Sequence, residues 1–136
     1  MKIYIAGPMR GYRDFNFPAF DRAAGVLRDE GHVVFSPAER DRQHYGDDIN
    51  NSKTGNLADI PQFNLREALL ADLTWIVNEA EAIFLLSRWG GSLGARAELA
   101  LAVALDLEVW EQEWDMNGMQ WIHYTAEQAA EWFDNL

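Results

Sequence analysis

Ala82 to Leu86 (AIFLL) is an unbroken apolar run, and a strand built from it has to be covered on both faces. A central strand of a parallel sheet, layered between helices, meets that requirement. Two other β-rich runs precede it. Lys2 to Ala6 (KIYIA) is closed by Gly7-Pro8, and His32 to Phe35 (HVVF) is closed by Ser36-Pro37. Between them, Phe17 to Glu30 has helical spacing: Phe20, Ala23, Ala24 and Leu27 share one face, and Gly31 follows as a C-cap signal. Strand, helix and strand in this order form a βαβ unit. A second helix is predicted from Asn64 or Asn56 to Glu79, and a third from Ser92 to Leu105. A short strand over Glu108 to Trp110 comes next. Met116 to Met119 reads as a turn, Trp121 to Tyr124 as an edge strand, and Thr125 with Gln128 as the capping box of a closing helix through Phe133. This alternation predicts one α/β domain over residues 1–136: an open, mostly parallel, Rossmann/flavodoxin-like sheet with helices on both faces. Residues 38–63 are polar, rich in Asn and Asp, and without a sustained apolar period. They are expected to be a mobile flap or a partly disordered loop.

Two carboxylates stand against the pattern. In Ser92 to Leu105 (SLGARAELALAVAL), Glu98 is the one polar residue from Ala97 to Leu105, on a helix apolar on nearly all sides. An ionised carboxylate carried into a dry place either finds partners or titrates upward. The alternative is a carboxylate serving the helix dipole, but with Ser92 as N-cap Glu98 falls in the second turn, where that benefit has faded. Asp72 lies in the apolar stripe of Leu65, Leu69, Leu73 and Ile76, unless it reaches solvent from the stripe's edge. Ligands of such sheets bind beyond the carboxyl ends of the strands. That rule gathers Gly7 to Arg13, Ser36 to Gln62 and Ser87 to Ser92 with both carboxylates.

The composition narrows the partners. A formal charge of −11 argues against a nucleic acid polymer, whose binding needs clustered Lys and Arg. The chain has no cysteine, so thiolate chemistry is excluded and zinc would have only His and carboxylate ligands. His32, His44 and His123, with Asp47 and Asp48, follow no metal-ligand spacing, so neither metal nor cofactor is expected. No apolar run is long enough for a membrane span, which makes a cytoplasmic protein the expectation. The phosphate loop GxxxxGK[ST] and the dinucleotide fingerprint GxGxxG are absent.

The segments IYIAGPMRG, ADLTWIVNEAEAIFLL and S-L-G-x-x-x-E together resemble the nucleoside 2-deoxyribosyltransferase superfamily over about residues 1–110. Ser92, Gly94 and Glu98 match the motif of 2′-deoxynucleoside 5′-phosphate N-hydrolases. GPMRG, PAERD (Pro37 to Asp41) and W-x-x-S-x-G-A from Trp89 are similar to small bacterial and phage relatives of these enzymes. The resemblance implies that Glu98 attacks C1′ of the sugar, that Tyr4 orients it, and that Asp72 binds or protonates the leaving base. A core tyrosine with a satisfied hydroxyl is the plainer reading of Tyr4. Arg10, Ser92 and Gly94, with the Gly7 turn, would hold a 5′-phosphate at a helix N-terminus, although Arg10 also fits a solvated surface position. Trp89 would stack on a base or sugar, or simply pack. The resemblance further implies a homodimer or higher oligomer in which Asn117 reaches a neighbouring subunit's site, with Trp110, Trp114 and Trp121 as exposed anchors. The expected activity is hydrolysis of a nucleotide to free base. Base exchange by a deoxyribosyltransferase is the alternative, and a non-catalytic module that sequesters a nucleotide is the alternative of another class.

Overall fold

The computed structural model describes residues 1–50, 52–116 and 118–135. Among the described residues there are five strands and five α-helices. They are β1 (Lys2–Ala6), α1 (Phe17–Asp29), β2 (Val33–Phe35), α2 (Pro37–Tyr45), α3 (Leu65–Asn78), β3 (Ala82–Leu85), α4 (Leu93–Ala104), β4 (Glu108–Asp115), β5 (Gly118–Tyr124) and α5 (Ala126–Ala130). The strands form one sheet in the order β2-β1-β3-β4-β5, parallel throughout except for the antiparallel β4–β5 hairpin. The open, mostly parallel α/β sheet expected from the sequence is therefore present. Among the described residues no helix is long and apolar enough to cross a membrane.

Strand alternation divides the core into two layers. Ile3, Ile5, Ala82 and Phe84 meet Phe17, Phe20, Ala23, Ala24 and Leu27 of α1, with Ala38 of α2. On the other face Tyr4, Ala6, Ile83, Leu85 and Val109 meet Ile76 of α3, Ala95, Leu99 and Ala102 of α4, and Ala129 of α5. Because β1 lies between β2 and β3, the connections through α1 and α3 leave on opposite faces. A crevice therefore opens at the carboxyl ends of β1 and β3, where the strand order reverses.

Three expectations are corrected. The segment 38–63 is not one irregular flap, because its start is the nine-residue helix α2 and short 3-10 turns follow at Asp47–Asn50 and Leu57–Asp59. Only a narrow face of α2 (Pro37, Ala38, Asp41) is buried, too little for an apolar period to register. Ion pairs to α1 help seat it. Arg28 grips both oxygens of Glu39 at 2.6 and 2.7 Å, and Arg42 binds Asp21 at 2.6 Å. Second, β4 runs to Asp115, beyond its pairing with β3, and is carried by the hairpin with β5. Third, Trp110 is 3% exposed and stacked on the half-buried Trp121 at 6.2 Å, so neither is an exposed anchor. Trp114 is 52% exposed, beside the Arg22 guanidinium. The capping box of the last helix is present, although that helix changes to a 3-10 turn over Glu131–Asn135.

Candidate active site

A cavity of about 570 Å³ fills the crevice, a volume in the usual range for small-molecule sites. Its walls come from the loop after β1, the starts of α1 and α2, the 3-10 segments after α2, and the facing sides of α3 and α4. Glu98 reaches it from the second turn of α4. Ser92 caps that helix, its Oγ accepting the Ala95 N–H at 3.2 Å, so the dipole explanation for Glu98 falls away. Glu98 shares the buried face of α4 with Ala95 and Ala102 and is 6% exposed. Opposite it, the β1 alternation aims Tyr4 at the same layer, and the Tyr4 hydroxyl donates a short hydrogen bond to Oε2 of Glu98. Phe35 stacks on the Tyr4 ring at 5.6 Å and fixes its plane.

Asp72 takes the buried face of α3 between Ala68 and Ile76 and lines the cavity at 7% exposure. Its Oδ1 is buried and has no hydrogen-bond partner among the described residues. The reading of Asp72 as an edge residue in water is thus excluded. An orphaned buried carboxyl oxygen is costly to leave unmade and marks a place where a ligand donor or a proton belongs.

The sequence reading missed a third carboxyl. Asp41 of α2 lines the same cavity at 4% exposure and is met by Nη1 of the adjacent Arg40 at 3.4 Å. A signal existed, since Pro37, Ala38 and Asp41 share one helical face while Glu39, Arg40, Arg42 and Gln43 take the other.

Burial dominates the electrostatics of all three. It pushes the Glu98 carboxyl up to about 8 against the Tyr4 hydrogen bond, and the charges of Asp72 and Asp41 add to the rise. Burial likewise raises Asp72 to about 7, with Asp41 adding and Arg40 and Tyr4 opposing. Asp41 rises to about 6 by burial, held back by Arg40 and His44. Tyr4, wholly buried beside these carboxyls, is pushed well above its ordinary range and stays a neutral donor. The cluster therefore keeps protons at neutral pH, as acid–base chemistry requires.

At the mouth, Arg10 is exposed and lines the cavity with Gly7, Ser92 and Gly94. The N–H groups of Leu93 and Gly94, at the first turn of α4, have no protein acceptor among the described residues. A Cβ on Gly7 would lie 2.8 Å from the Leu86 side chain, so this position is glycine because the loop crosses close over the end of β3. The chain then turns through Asp14, Phe15 and Asn16, all left-handed at φ 53°, 52° and 62°, placing the Phe15 ring in the wall. Each such residue costs roughly 1–2 kcal/mol. The turn is held by Asn16 Nδ2 donating to the Pro8 carbonyl at 2.9 Å and by the Asp14 N–H donating to the Ser52 carbonyl at 2.5 Å. Gly55 completes this latch. It accepts the Gly11 N–H at 2.9 Å, has φ +67°, and a Cβ on it would meet the Tyr12 carbonyl at 2.2 Å. Ser52 and Thr54 both donate to Asp59 at 2.9 and 3.0 Å. The middle of segment 38–63 thus shapes the loop that carries Arg10.

Trp89 is a correction. Its indole donates to Glu111 at 2.9 Å and its ring packs near Trp132 at 5.7 Å, away from the cavity lining, so the packing alternative holds. Asn117 and the side chains of Asp47 and Asp48 lie outside the described residues. His32 lies against the N-terminal amine and the Trp110 ring, His123 is packed on the same tryptophan, and His44 is paired with Glu67 at 2.5 Å. Among the described residues no three His, Cys, Asp or Glu are grouped to hold a metal ion.

No curated protein matches the chain. The family model described as "Domain of unknown function (DUF4406)" matches residues 1–111, which contain every residue of the cavity. With 111 of its 136 residues matched, this chain belongs to the DUF4406 family.

Proposed function

We propose that this protein is an N-glycosidase that hydrolyses the base–sugar bond of a (deoxy)nucleoside 5′-monophosphate through a glycosyl-Glu98 intermediate. The observation that carries the reading is that Glu98, held by the Tyr4 phenol, and Asp72, whose buried Oδ1 has no partner among the described residues, line the same cavity. In the first step a Glu98 oxygen attacks C1′. The C1′–N bond breaks with its electron pair going to the base, and the Asp72 proton passes to that base. Water then adds to C1′ and gives its proton to Asp72, the C1′–Glu98 bond breaks, and sugar 5′-phosphate leaves. With Glu98 at about 8 and Asp72 at about 7, the reactive form with Glu98 ionised and Asp72 protonated is the minor arrangement of their shared proton. The Tyr4 hydrogen bond and the positive charge growing at C1′ both draw the pair toward it.

Arg10 and the free N–H groups at the start of α4 suit the phosphate. The reading implies a cytoplasmic enzyme working on free nucleotides. It extends to a homodimer, because Leu93 lines the cavity while 72% exposed and Leu70 and Val77 of α3 are 69% and 54% exposed. Light scattering at micromolar concentration tests this, and a monomer overturns it.

The activity is tested by base release from 5′-monophosphates and matching nucleosides, deoxy and ribo, with Glu98→Ala as control. Release from a nucleotide, lost in the variant and much weaker for its nucleoside, supports the proposal. Turnover only when a second free base is supplied makes the protein a deoxyribosyltransferase. Binding without turnover in any arm refutes catalysis and favours a sequestering module.

A further inference from the structure

The polar side chains lining the cavity are Arg10, Tyr12, Asp41, Asp72, Ser92 and Glu98. Arg10 is exposed at the mouth, with Tyr12 in the same loop, and the Ser92 hydroxyl caps α4. Glu98 is engaged by Tyr4. Asp41 of α2 and Asp72 of α3 remain, both lining the cavity, and a heterocycle seated there between them would meet these two carboxyls.

Asp41 has no visible task in folding. Its hydrogen bond from Arg40 is long, at 3.4 Å, and a carboxyl kept at 4% exposure with so little compensation weakens the fold. Arg40 is itself largely buried, with 17% of its side chain exposed. It spans Asp41 and Glu67 (3.8 Å) and supplies the positive charge that favours the ionised form of Asp41. A carboxylate can only accept hydrogen bonds, whereas a protonated Asp72 beside it can donate one. An acceptor next to a donor complements an exocyclic amino group next to a bare ring nitrogen, the pattern on one edge of adenine or cytosine. A keto group in the amino position would turn its lone pairs toward a carboxylate, and the neighbouring ring nitrogen would carry a hydrogen.

We infer that Asp41 selects the base: its carboxylate accepts a hydrogen bond from an exocyclic amino group, so amino-bearing nucleotides are preferred over their keto counterparts. This rests on the glycosidase reading and adds the substrate class to it. Asp41 is a specificity residue, whereas Glu98 and Asp72 perform the bond exchange.

The test uses pairs that differ only at that group, the 5′-monophosphates of deoxycytidine against deoxyuridine and of deoxyadenosine against deoxyinosine. Two ratios are read for each pair: kcat/KM in the wild type and Asp41→Asn, and calorimetric affinity with Glu98→Gln added to each so that the ligand persists. An amino preference on the order of 10–100-fold is expected in the wild type. Asp41→Asn, whose amide presents both a donor and an acceptor, is expected to reduce it by about tenfold or more. A wild-type ratio near one or favouring keto bases overturns the inference, as does a ratio that Asp41→Asn leaves in place. If bases are released in a Glu98-dependent way without such a preference, the inference falls and the glycosidase reading stands. If no base is released, the glycosidase reading falls, and the affinity ratios alone decide the role of Asp41. Failure of all four nucleotides to bind refutes both.

Discussion

Glu98 is expected to make the fold weaker as pH rises, and replacing it with glutamine should strengthen the protein. Its carboxyl has an ordinary value of 4.5 and is raised by burial to about 8 in the folded chain. Below the lower value the folded and unfolded forms both hold the proton, and nothing is lost. Between the two, the unfolded chain releases a proton that the folded chain keeps, so stability falls with rising pH and levels off above about 8. The full shift corresponds to about 5 kcal/mol at roughly 1.4 kcal/mol per pH unit. Water entering the adjoining cavity relaxes part of this, leaving on the order of 2–4 kcal/mol. Glu98→Gln keeps the volume and an oxygen to accept the Tyr4 hydroxyl, and it sacrifices a charge-assisted bond worth about 1 kcal/mol more than a neutral one. The charge term wins above neutrality. Thermal unfolding should give equal Tm values near about pH 3.5, where Glu98 is neutral in both the folded and the unfolded chain, and a variant advantage of roughly 5–10 °C near about pH 9. The slope of Tm against pH across this window should flatten in the variant. A variant that is less stable than the wild type at the alkaline end, or that keeps the wild-type slope, refutes the claim that Glu98 is held in a dry site.

Three further outcomes follow from the structure. With Asp72 at about 7 and Glu98 at about 8, kcat/KM should be bell-shaped with its maximum between these values. It should fall on the acid side when the last carboxylate is protonated and on the alkaline side when the last acid is lost. Tyr4→Phe removes a hydroxyl that lowers both carboxyls, so both limbs should move to higher pH, with kcat/KM near neutrality lower by about 10–100-fold; unmoved limbs would show that Tyr4 only packs. Gly55→Ala combines a left-handed φ with a 2.2 Å clash on the Tyr12 carbonyl, so at least about 2 kcal/mol of stability should be lost in denaturant titration. Nucleotide affinity should fall with it, because the Arg10 loop loses its support, and wild-type stability in this variant would mean that the latch is dispensable.

Much of this architecture is written in local pattern. The alternation of KIYIA, HVVF and AIFLL with helical stretches suffices for a parallel sheet, and the Gly and Pro punctuation marks its turns. Ser92 and Thr125 each occupy the cap position that their side chains suggest. Glu98 and Asp72 were visible as carboxyls out of place, because a single charge on an apolar face is a local anomaly. The short helix α2 was not legible, since its buried face is narrow and its contacts to α1 are ion pairs between residues far apart in the chain. Nor was the latch of Ser52 and Gly55 on the β1 loop, which is made largely by main-chain groups that look alike in every residue. Trp89 and Trp110 look the same as site or interface tryptophans until the neighbours that cover them are known.

The sequence by itself determined the layered α/β sheet, the sheet edge at which the cavity opens, and the two anomalous carboxyls, because backbone periodicity and burial preference act over a few neighbouring residues. Only the tertiary structure decided that Asp41 joins them, that Tyr4 holds Glu98, and that the buried Asp72 Oδ1 has no partner among the described residues. It also decided that Glu98 and Asp72 hold protons near neutral pH. Desolvation depends on everything packed around a group, and residues distant in the chain bring that surrounding together.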